Sequence, residues 1–172
     1  FFEFADGKHG TTPAKTLEQY KGILQTDGAN NFGGVPARAD ITHLNCWAHV
    51  RRYFVKAEEN KAPGASEYVD AIDRLFRRER RFGLEPESAL ELRRRFSLPE
   101  VDALFEKARA FAQDERMVKL PMPKAVNYLL GRTDELRECF LHAPSRIDNN
   151  LAENALRPIK LGAKNWLFVG HE

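Results

Sequence analysis

Gly22-Ile23-Leu24-Gln25-Thr26-Asp27-Gly28 is the stretch that decides the fold class. Its first five residues predict a buried strand. The strand should end at Asp27, because Asp-Gly is a turn dipeptide. Ligands bind at the carboxyl ends of the strands in open α/β sheets. A carboxylate at this position can therefore hold a divalent cation, although an ordinary turn residue is the simpler interpretation.

The sequence on both sides of this strand predicts further strands and one helix. Phe2 and Phe4 alternate with polar neighbours, which is typical of a half-buried strand. Residues 16–21 predict a short helix, and residues 41–47 predict a second apolar strand. Asn and Gly dominate residues 30–36, which we expect to be a loop.

The middle of the chain, about 55–140, has the apolar period of helices. The residues that share helix faces are Val69, Ile72, Leu75 and Phe76, followed by Val101, Leu104, Phe105, Ala108 and Ala112. The sequence Ser97-Leu98-Pro99-Glu100 predicts a helix start with a capping box. Two further helices, over 122–130 and 133–140, are separated at Gly131. We expect these apolar stripes to form the hydrophobic core.

The last part of the chain is rich in helix-start and helix-stop signals. Asp148-Asn149-Asn150 supplies N-cap candidates for a short helix over 151–157, which Pro158 should end. Glu153 lies on this helix with capping-box spacing from Asn150. It could also pair with Arg157 four residues later, or serve as a catalytic carboxylate. An apolar aromatic segment, 165–170, follows.

Composition excludes several classes of protein. The 172 residues are 42% apolar and 30% charged, a balance typical of a globular domain. No apolar run approaches the ~20 residues that span a bilayer, so we expect no membrane partner. Two cysteines cannot make a disulfide-dense secreted scaffold, and no signal peptide begins at Phe1, which favours a cytoplasmic location. Because the chain lacks an initiator Met, we expect it to be a piece of a longer protein.

Positive charge is concentrated in the middle helices. The formal net charge is +2, but residues 74–81 contain five arginines against one glutamate, and Arg93-Arg94-Arg95 follows. Such clusters attract phosphates. The alternative is a solvated helix face whose charge is balanced by nearby acidic residues, namely Glu85, Glu87 and Glu91.

His43, Cys46 and His49 recur at every third position. Histidine and cysteine are zinc ligands, and Cys46 with His49 could also form a nucleophile and base. A buried cysteine beside two ordinary histidines is the simpler interpretation. The fourth ligand that a structural zinc needs could come from Asp40, Cys139 or His142.

Three stretches taken together point to a known family. They are Leu24–Gly28 (LQTDG), Cys46–Phe54 (CWAHVRRYF) and Ile147–Pro158 (IDNNLAENALRP), the last continuing to Lys164–Phe168 (KNWLF). In this order they resemble the transposases of the insertion-sequence sixty-six family, over about 1–54 and 141–170. The resemblance implies a DDE transposase with an α/β, ribonuclease H-like mixed sheet. It further implies one domain over 1–172, with 55–140 as a helical insertion and the sheet incomplete at the N-terminus.

The resemblance also implies a site. Asp27 matches the family's second catalytic Asp, and Glu153 matches its final Glu, so both would bind Mg²⁺ or Mn²⁺ in a two-metal centre. The first catalytic Asp would lie upstream of this chain, and Asp6 is a poor substitute. The sequence departs from the family pattern at 29–31 and at Ala163. The intact protein would cut and join DNA at the element ends and the target, as a homo-oligomer.

Several polar residues of the matching stretches are candidates for DNA contact. They are Arg51, Arg52, Arg157, Lys160, Lys164 and Asn165. Trp166 could stack on a base or belong to the core, and His49 is expected near the site. Two other functions remain open at this point. One is a non-catalytic DNA-binding or assembly module that uses the arginine-rich helices, and the other is a small structural zinc domain.

Overall fold

A computed structural model of the chain describes residues 11–28, 38–82, 86–114 and 122–165. These residues form a mixed α/β structure that is mostly helical. Its elements are α1 (Thr11–Thr16), β1 (Gly22–Gln25), β2 (Ile41–Leu44), α2 (Trp47–Glu59), α3 (Ala65–Phe82), α4 (Pro86–Leu92), a π turn (Arg93–Ser97), α5 (Leu98–Gln113), α6 (Pro123–Leu130), α7 (Thr133–Glu138) and α8 (Asn150–Asn165). Among the described residues, no helix has the length and apolar character needed to cross a membrane.

The two strands pair in parallel. Gly22 aligns with Ile41, and the register continues to Gln25 opposite Leu44. The N–H of Thr26 donates to the carbonyl oxygen of Leu44 at 3.0 Å, which extends the pairing one residue beyond β1. Since the strands are parallel, both carboxyl ends lie at the same edge, and the segment after β2 leads directly into α2.

Trp47 joins the strands to the helices at the centre of the core. Its ring stacks with Phe105 at 6.2 Å and meets Phe140 edge-on at 5.9 Å. Its indole N–H donates to the carbonyl oxygen of Leu136 at 3.0 Å. One cluster of buried apolar residues therefore extends from Leu44 through the middle helices to Ile147.

The predicted apolar stripes are largely confirmed. The buried members are Val69, Ile72, Leu75, Val101, Leu104, Phe105 and Ala108. Phe76 is half-buried and Ala112 is exposed. Gly131 follows α6 directly, as the sequence predicted.

The short helix predicted over 16–21 is misplaced, because α1 ends at Thr16. The chain forms a turn after Thr16, in which the N–H of Tyr20 donates to the carbonyl oxygen of Leu17 at 3.0 Å. The guanidinium of Arg38 fastens this turn, because it donates to the carbonyl oxygen of Leu17 at 2.6 Å and to that of Tyr20 at 3.1 Å.

The strand predicted over 41–47 is too long. It ends at Leu44, and Trp47 is the first residue of α2. The backbone N–H of Trp47 donates to the carbonyl oxygen of Ile147 at 2.8 Å, which turns the chain away from the sheet. This partner is a hundred positions away in the sequence, so a local pattern could not show it.

The capping box predicted at Ser97 does not form. Ser97 has helical dihedral angles, and its buried hydroxyl has no hydrogen-bond partner among the described residues. The helix continues from α4 through the π turn into α5. We attribute this to the extra residue of a π turn, which accommodates a proline such as Pro99 without ending the helix.

The last helix is longer than predicted. It spans Asn150–Asn165 and contains Pro158 in its interior. Proline removes one backbone hydrogen bond, but this helix is largely exposed, so water can bond to the carbonyl group that proline leaves without a donor. Four large apolar side chains of α8 are exposed, namely Leu151, Leu156, Ile159 and Leu161.

Several predictions fall outside the described residues. They concern the strand at Phe2 and Phe4, Asp6, the loop over 30–36, Glu85, Trp166 and most of the segment 165–170.

Candidate functional site

Asp27 lies in the turn that follows β1, where the chain needs glycine at the next position. Gly28 has a φ of +78°, and a Cβ there would lie 2.7 Å from Nε of Arg132 and 2.9 Å from the hydroxyl of Tyr128. The N–H of Gly28 donates to Oγ1 of Thr26 at 3.2 Å. Side chains thus approach Gly28 so closely that a larger residue there would have to displace them.

Two residues of the α6 region hold this turn. The hydroxyl of Tyr128 donates to the carbonyl oxygen of Asp27 at 2.9 Å, and Arg132 donates to that of Gly28 at 2.7 Å. The guanidinium of Arg132 also lies over the Tyr128 ring at 4.0 Å, and Tyr53 stacks on the same ring at 4.1 Å. Sequence reasoning missed this support, since its members lie about a hundred positions from Asp27 and form no local motif.

Glu153 lies in the first turn of α8 and faces α2. Its Oε1 is 3.4 Å from Nε2 of His49, and the two side chains are 32% and 15% exposed. The N–H of Asn150 bonds to Asp148 at 3.0 Å, so Asp148 does the capping that the sequence pattern assigned to Glu153. Glu153 makes no ion pair with Arg157, which is exposed, among the described residues.

His49 lies in the field of both candidate carboxylates. Burial and the charge of Arg52 lower the pKa of His49, whereas Glu153 and then Asp27 raise it by smaller amounts. Its Nδ1 is buried and has no hydrogen-bond partner among the described residues. The net lowering favours the neutral imidazole near pH 7. The segment Cys46–Phe54 therefore places His49 beside Glu153 and within the electrostatic influence of Asp27.

The described residues do not form a zinc centre. No group of three histidine, cysteine or acidic side chains among them is placed to hold a metal ion. Nε2 of His43 lies 2.8 Å from Oγ1 of Thr26, and the sulfur of Cys46 accepts the N–H of Asn149 at 3.5 Å. The alternative of a structural zinc on His43, Cys46 and His49 is therefore wrong for this part of the chain.

Cys46 is also unsuited to act as a nucleophile. It is buried at the start of α2, and burial raises the pKa of its thiol. The histidine expected to act as its base faces Glu153 through Nε2. A thiol that resists deprotonation without an adjacent base is a packing residue.

The candidate DNA contacts are in different environments. Arg51 is bound by Asp73 through two hydrogen bonds, of 2.6 Å and 3.0 Å. Arg52 and Arg157 are exposed. Lys160, Lys164 and Asn165 belong to α8, but their side chains are outside the described part of the structure.

Comparison with protein families supplies the identity of the chain. The family model described as "Transposase IS66 family" matches residues 1–172. The chain belongs to the IS66 family of transposases. The IS66 match covers the two candidate acids, His49 and the arginine-rich helices alike. No solved structure matches the chain significantly.

Curated relatives of this IS66 chain come from Sinorhizobium fredii (strain NBRC 101917 / NGR234). Uncharacterized protein y4hP is 33% identical over 96% of this chain and 33% of its own length. Uncharacterized protein y4qI is 31% identical over 99% of this chain and 33% of its own length. Uncharacterized protein y4jD is 25% identical over 98% of this chain and 34% of its own length. The chain thus spans about a third of the length of these relatives.

Proposed function

We propose that this chain is part of the catalytic domain of a DDE transposase, in which Asp27 and Glu153 are two of the metal-binding carboxylates. The observation that carries the proposal is the position of His49. Its Nε2 is 3.4 Å from the carboxylate of Glu153, and the charge of Asp27 acts on the same ring. Residues 126 positions apart, on a strand end and a helix, thus act on one histidine.

The donor set suits magnesium or manganese. Asp27 and Glu153 are partly exposed and offer carboxylate oxygens, the ligands that hard divalent cations prefer. When bound, such cations would activate the attacking oxygen and stabilise the leaving oxygen of a DNA strand. Two carboxylates do not complete such a centre. We propose that the first Asp of the triad is contributed from outside this chain.

The protein's own groups would hold these acids in place. Tyr128 binds the carbonyl oxygen of Asp27 and Arg132 binds that of Gly28, which restricts where the Asp27 carboxylate can move. A neutral His49 places a polar N–H or a lone pair beside Glu153 without neutralising its charge. Asp27 and Glu153 would therefore both be positioned before a cation arrives.

The wider architecture is part of the same proposal. The parallel pair β1–β2 would belong to a ribonuclease H-like mixed sheet, and residues 55–140 would be a helical insertion within one domain over 1–172. Asp27 follows β1 and Glu153 lies on α8, on opposite sides of that insertion. The intact transposase would act on its element ends and target DNA as a homo-oligomer.

Titration with Mg²⁺ and Mn²⁺ during thermal unfolding tests the proposal. A ligand at ten times its Kd stabilises the native state by RT ln 11, or about 1.4 kcal/mol. That corresponds to a rise in Tm of about 3–6 °C for a chain of this size. We expect the wild-type chain to respond, and Asp27→Asn and Glu153→Gln to lose the response.

Glu59→Gln is the matched control, because Glu59 is an exposed carboxylate at the end of α2. It should respond as the wild type does. If all four proteins respond alike, Asp27 and Glu153 do not share a cation. That result would refute the metal site and favour a non-catalytic DNA-binding module.

A further inference from the structure

Helix geometry places four of the five arginines of the α3 cluster in two sets, and the fifth, Arg81, is exposed and lines neither of the clefts described below. Arg74 and Arg78 are one helical turn apart and both bind Glu100 of α5. Glu100 is mostly buried between the two helices, with a side-chain exposure of 17%. These two guanidinium groups therefore fasten α3 to α5, and their charge is compensated by Glu100 rather than by Glu87 or Glu91.

Arg77 and Arg80 belong to the other set. Both are exposed, and neither makes a hydrogen bond or ion pair with another described residue. Together with Arg51 and Asp73 they line a cleft of about 360 Å³. Arg51 and the charges of Arg77 and Arg80 all lower the pKa of Asp73. One carboxylate thus faces three guanidinium groups, which leaves an excess of two positive charges.

This cleft adjoins a larger one. Arg80 and Asn150 line both, and the second cleft, of about 660 Å³, is also lined by Arg146. A buried pair closes part of its wall, because Arg93 binds Glu79 through hydrogen bonds of 2.6 Å and 3.0 Å. Arg93 also donates to the carbonyl oxygens of the 142–145 loop and has no donor left for a ligand. Arg80 and Arg146 are the exposed arginines of this cleft, whose lining also includes Asp148, which accepts the N–H of Asn150.

Asn150 relates the two clefts to the candidate site, although neither is lined by Asp27, His49 or Glu153. Asn150, which lines both, is the first residue of α8 and lies three positions before Glu153. We propose that Arg77, Arg80 and Arg146 bind successive phosphates of a DNA duplex and guide it from α3 to the Asp27–Glu153 site. This inference rests on the proposed function for its ligand, but the binding itself requires no metal. Guanidinium groups suit phosphates because their planar N–H donors match the phosphate oxygens.

DNA binding in the presence of EDTA tests the inference. The probe is a fluorescein-labelled duplex of about 30 base pairs, and its anisotropy is followed from about 50 to about 200 mM NaCl. Each phosphate contact contributes about 0.9 to the slope of log K against log salt. We expect the double variant Arg77→Gln, Arg80→Gln to lower that slope by about 2 and to weaken binding at least tenfold near 100 mM salt.

The double variant Arg94→Gln, Arg95→Gln is the matched control. It removes the same charge from exposed positions that do not line either cleft. Its slope should fall by less than 1, and both double variants should keep the wild-type Tm. Equal slopes for the two double variants, or no binding by the wild-type chain at about 50 mM salt, would overturn the inference.

The same assay separates this inference from the metal site. Asp27→Asn and Glu153→Gln should bind the duplex in EDTA at least as tightly as the wild type, since each removes a negative charge. A chain that fails the cation titration but shows the Arg77 and Arg80 effect binds DNA along these clefts without a metal centre. A chain that responds to cations but shows no arginine effect has the metal site and lacks this DNA path.

Discussion

Replacement of Gly28 by alanine tests whether the Asp27 turn is as restricted as its contacts indicate. Alanine at a φ of +78° costs about 1–2 kcal/mol, because its Cβ approaches the carbonyl oxygen. The new Cβ would also lie 2.7 Å from Arg132 and 2.9 Å from Tyr128, closer than real contacts allow. Each side chain donates one hydrogen bond to the turn, and displacing both costs about 1–2 kcal/mol more. We expect a loss of about 3 kcal/mol, or about 6–12 °C in Tm.

Gly64→Ala separates the two contributions. Gly64 has nearly the same φ, +79°, but its nearest neighbour to an added Cβ is a carboxylate oxygen of Glu67 at 3.9 Å. Its replacement should therefore cost the backbone part alone, about 1–2 kcal/mol. Urea unfolding of both variants measures the difference. If Gly28→Ala is no less stable than Gly64→Ala, the turn is not held by Arg132 and Tyr128, and the positioning of Asp27 argued above is refuted.

Three further predictions concern stability. Burial lowers the pKa of His43, so the unfolded chain binds more protons than the native one between the native pKa and about pH 6.5. As the pH is lowered through this range, the free energy of unfolding should therefore decrease. His43→Gln should flatten this dependence in urea titrations at several pH values. Arg93→Met leaves Glu79 without its partner in a mostly buried site and should cost about 3–5 kcal/mol, most of which a second change, Glu79→Leu, should restore. Trp47→Phe leaves the carbonyl oxygen of Leu136 without its donor and opens a cavity, so chemical denaturation should show a loss of about 2–4 kcal/mol, whereas a loss below about 1 kcal/mol would contradict the central role of this ring.

Local pattern predicted much of the fold because local physics decides it. The strand Gly22–Gln25 lies within the apolar run that the Asp-Gly turn ends, and the buried stripe from Val101 to Ala108 follows from the helical period. The boundaries were less predictable. Arg38 binds the turn that follows α1, and the backbone N–H of Trp47 bonds to Ile147 where the chain leaves the sheet. These partners lie 21 and 100 positions away in the sequence, and a pattern of neighbours carries no information about them.

The candidate site, like the fold, could be predicted only in part from the sequence. The sequence identified Asp27 by its turn dipeptide and Glu153 by a long motif. The spacing of His49 in the sequence did not indicate its role. The structure places it 3.4 Å from Glu153. Tyr128 and Arg132 were not considered, since a tyrosine and an arginine at the end of a short helix are common on protein surfaces. Their part in holding Asp27 depends on the packing of α6 against α2.

The sequence could not show which of the clustered arginines are bound by carboxylates in the fold. The sequence counts five arginines between 74 and 81 and treats them as equivalent. In the structure, Arg74 and Arg78 both bind Glu100 of α5, which lies 26 and 22 positions away from them in the sequence. Arg77 and Arg80 are exposed, and they line a cleft that Asn150, the first residue of α8, also lines. The proposed phosphate-binding surface therefore depends on where the fold leaves more cations than carboxylates, and in the cleft lined by Arg51, Arg77 and Arg80 the single carboxylate is Asp73.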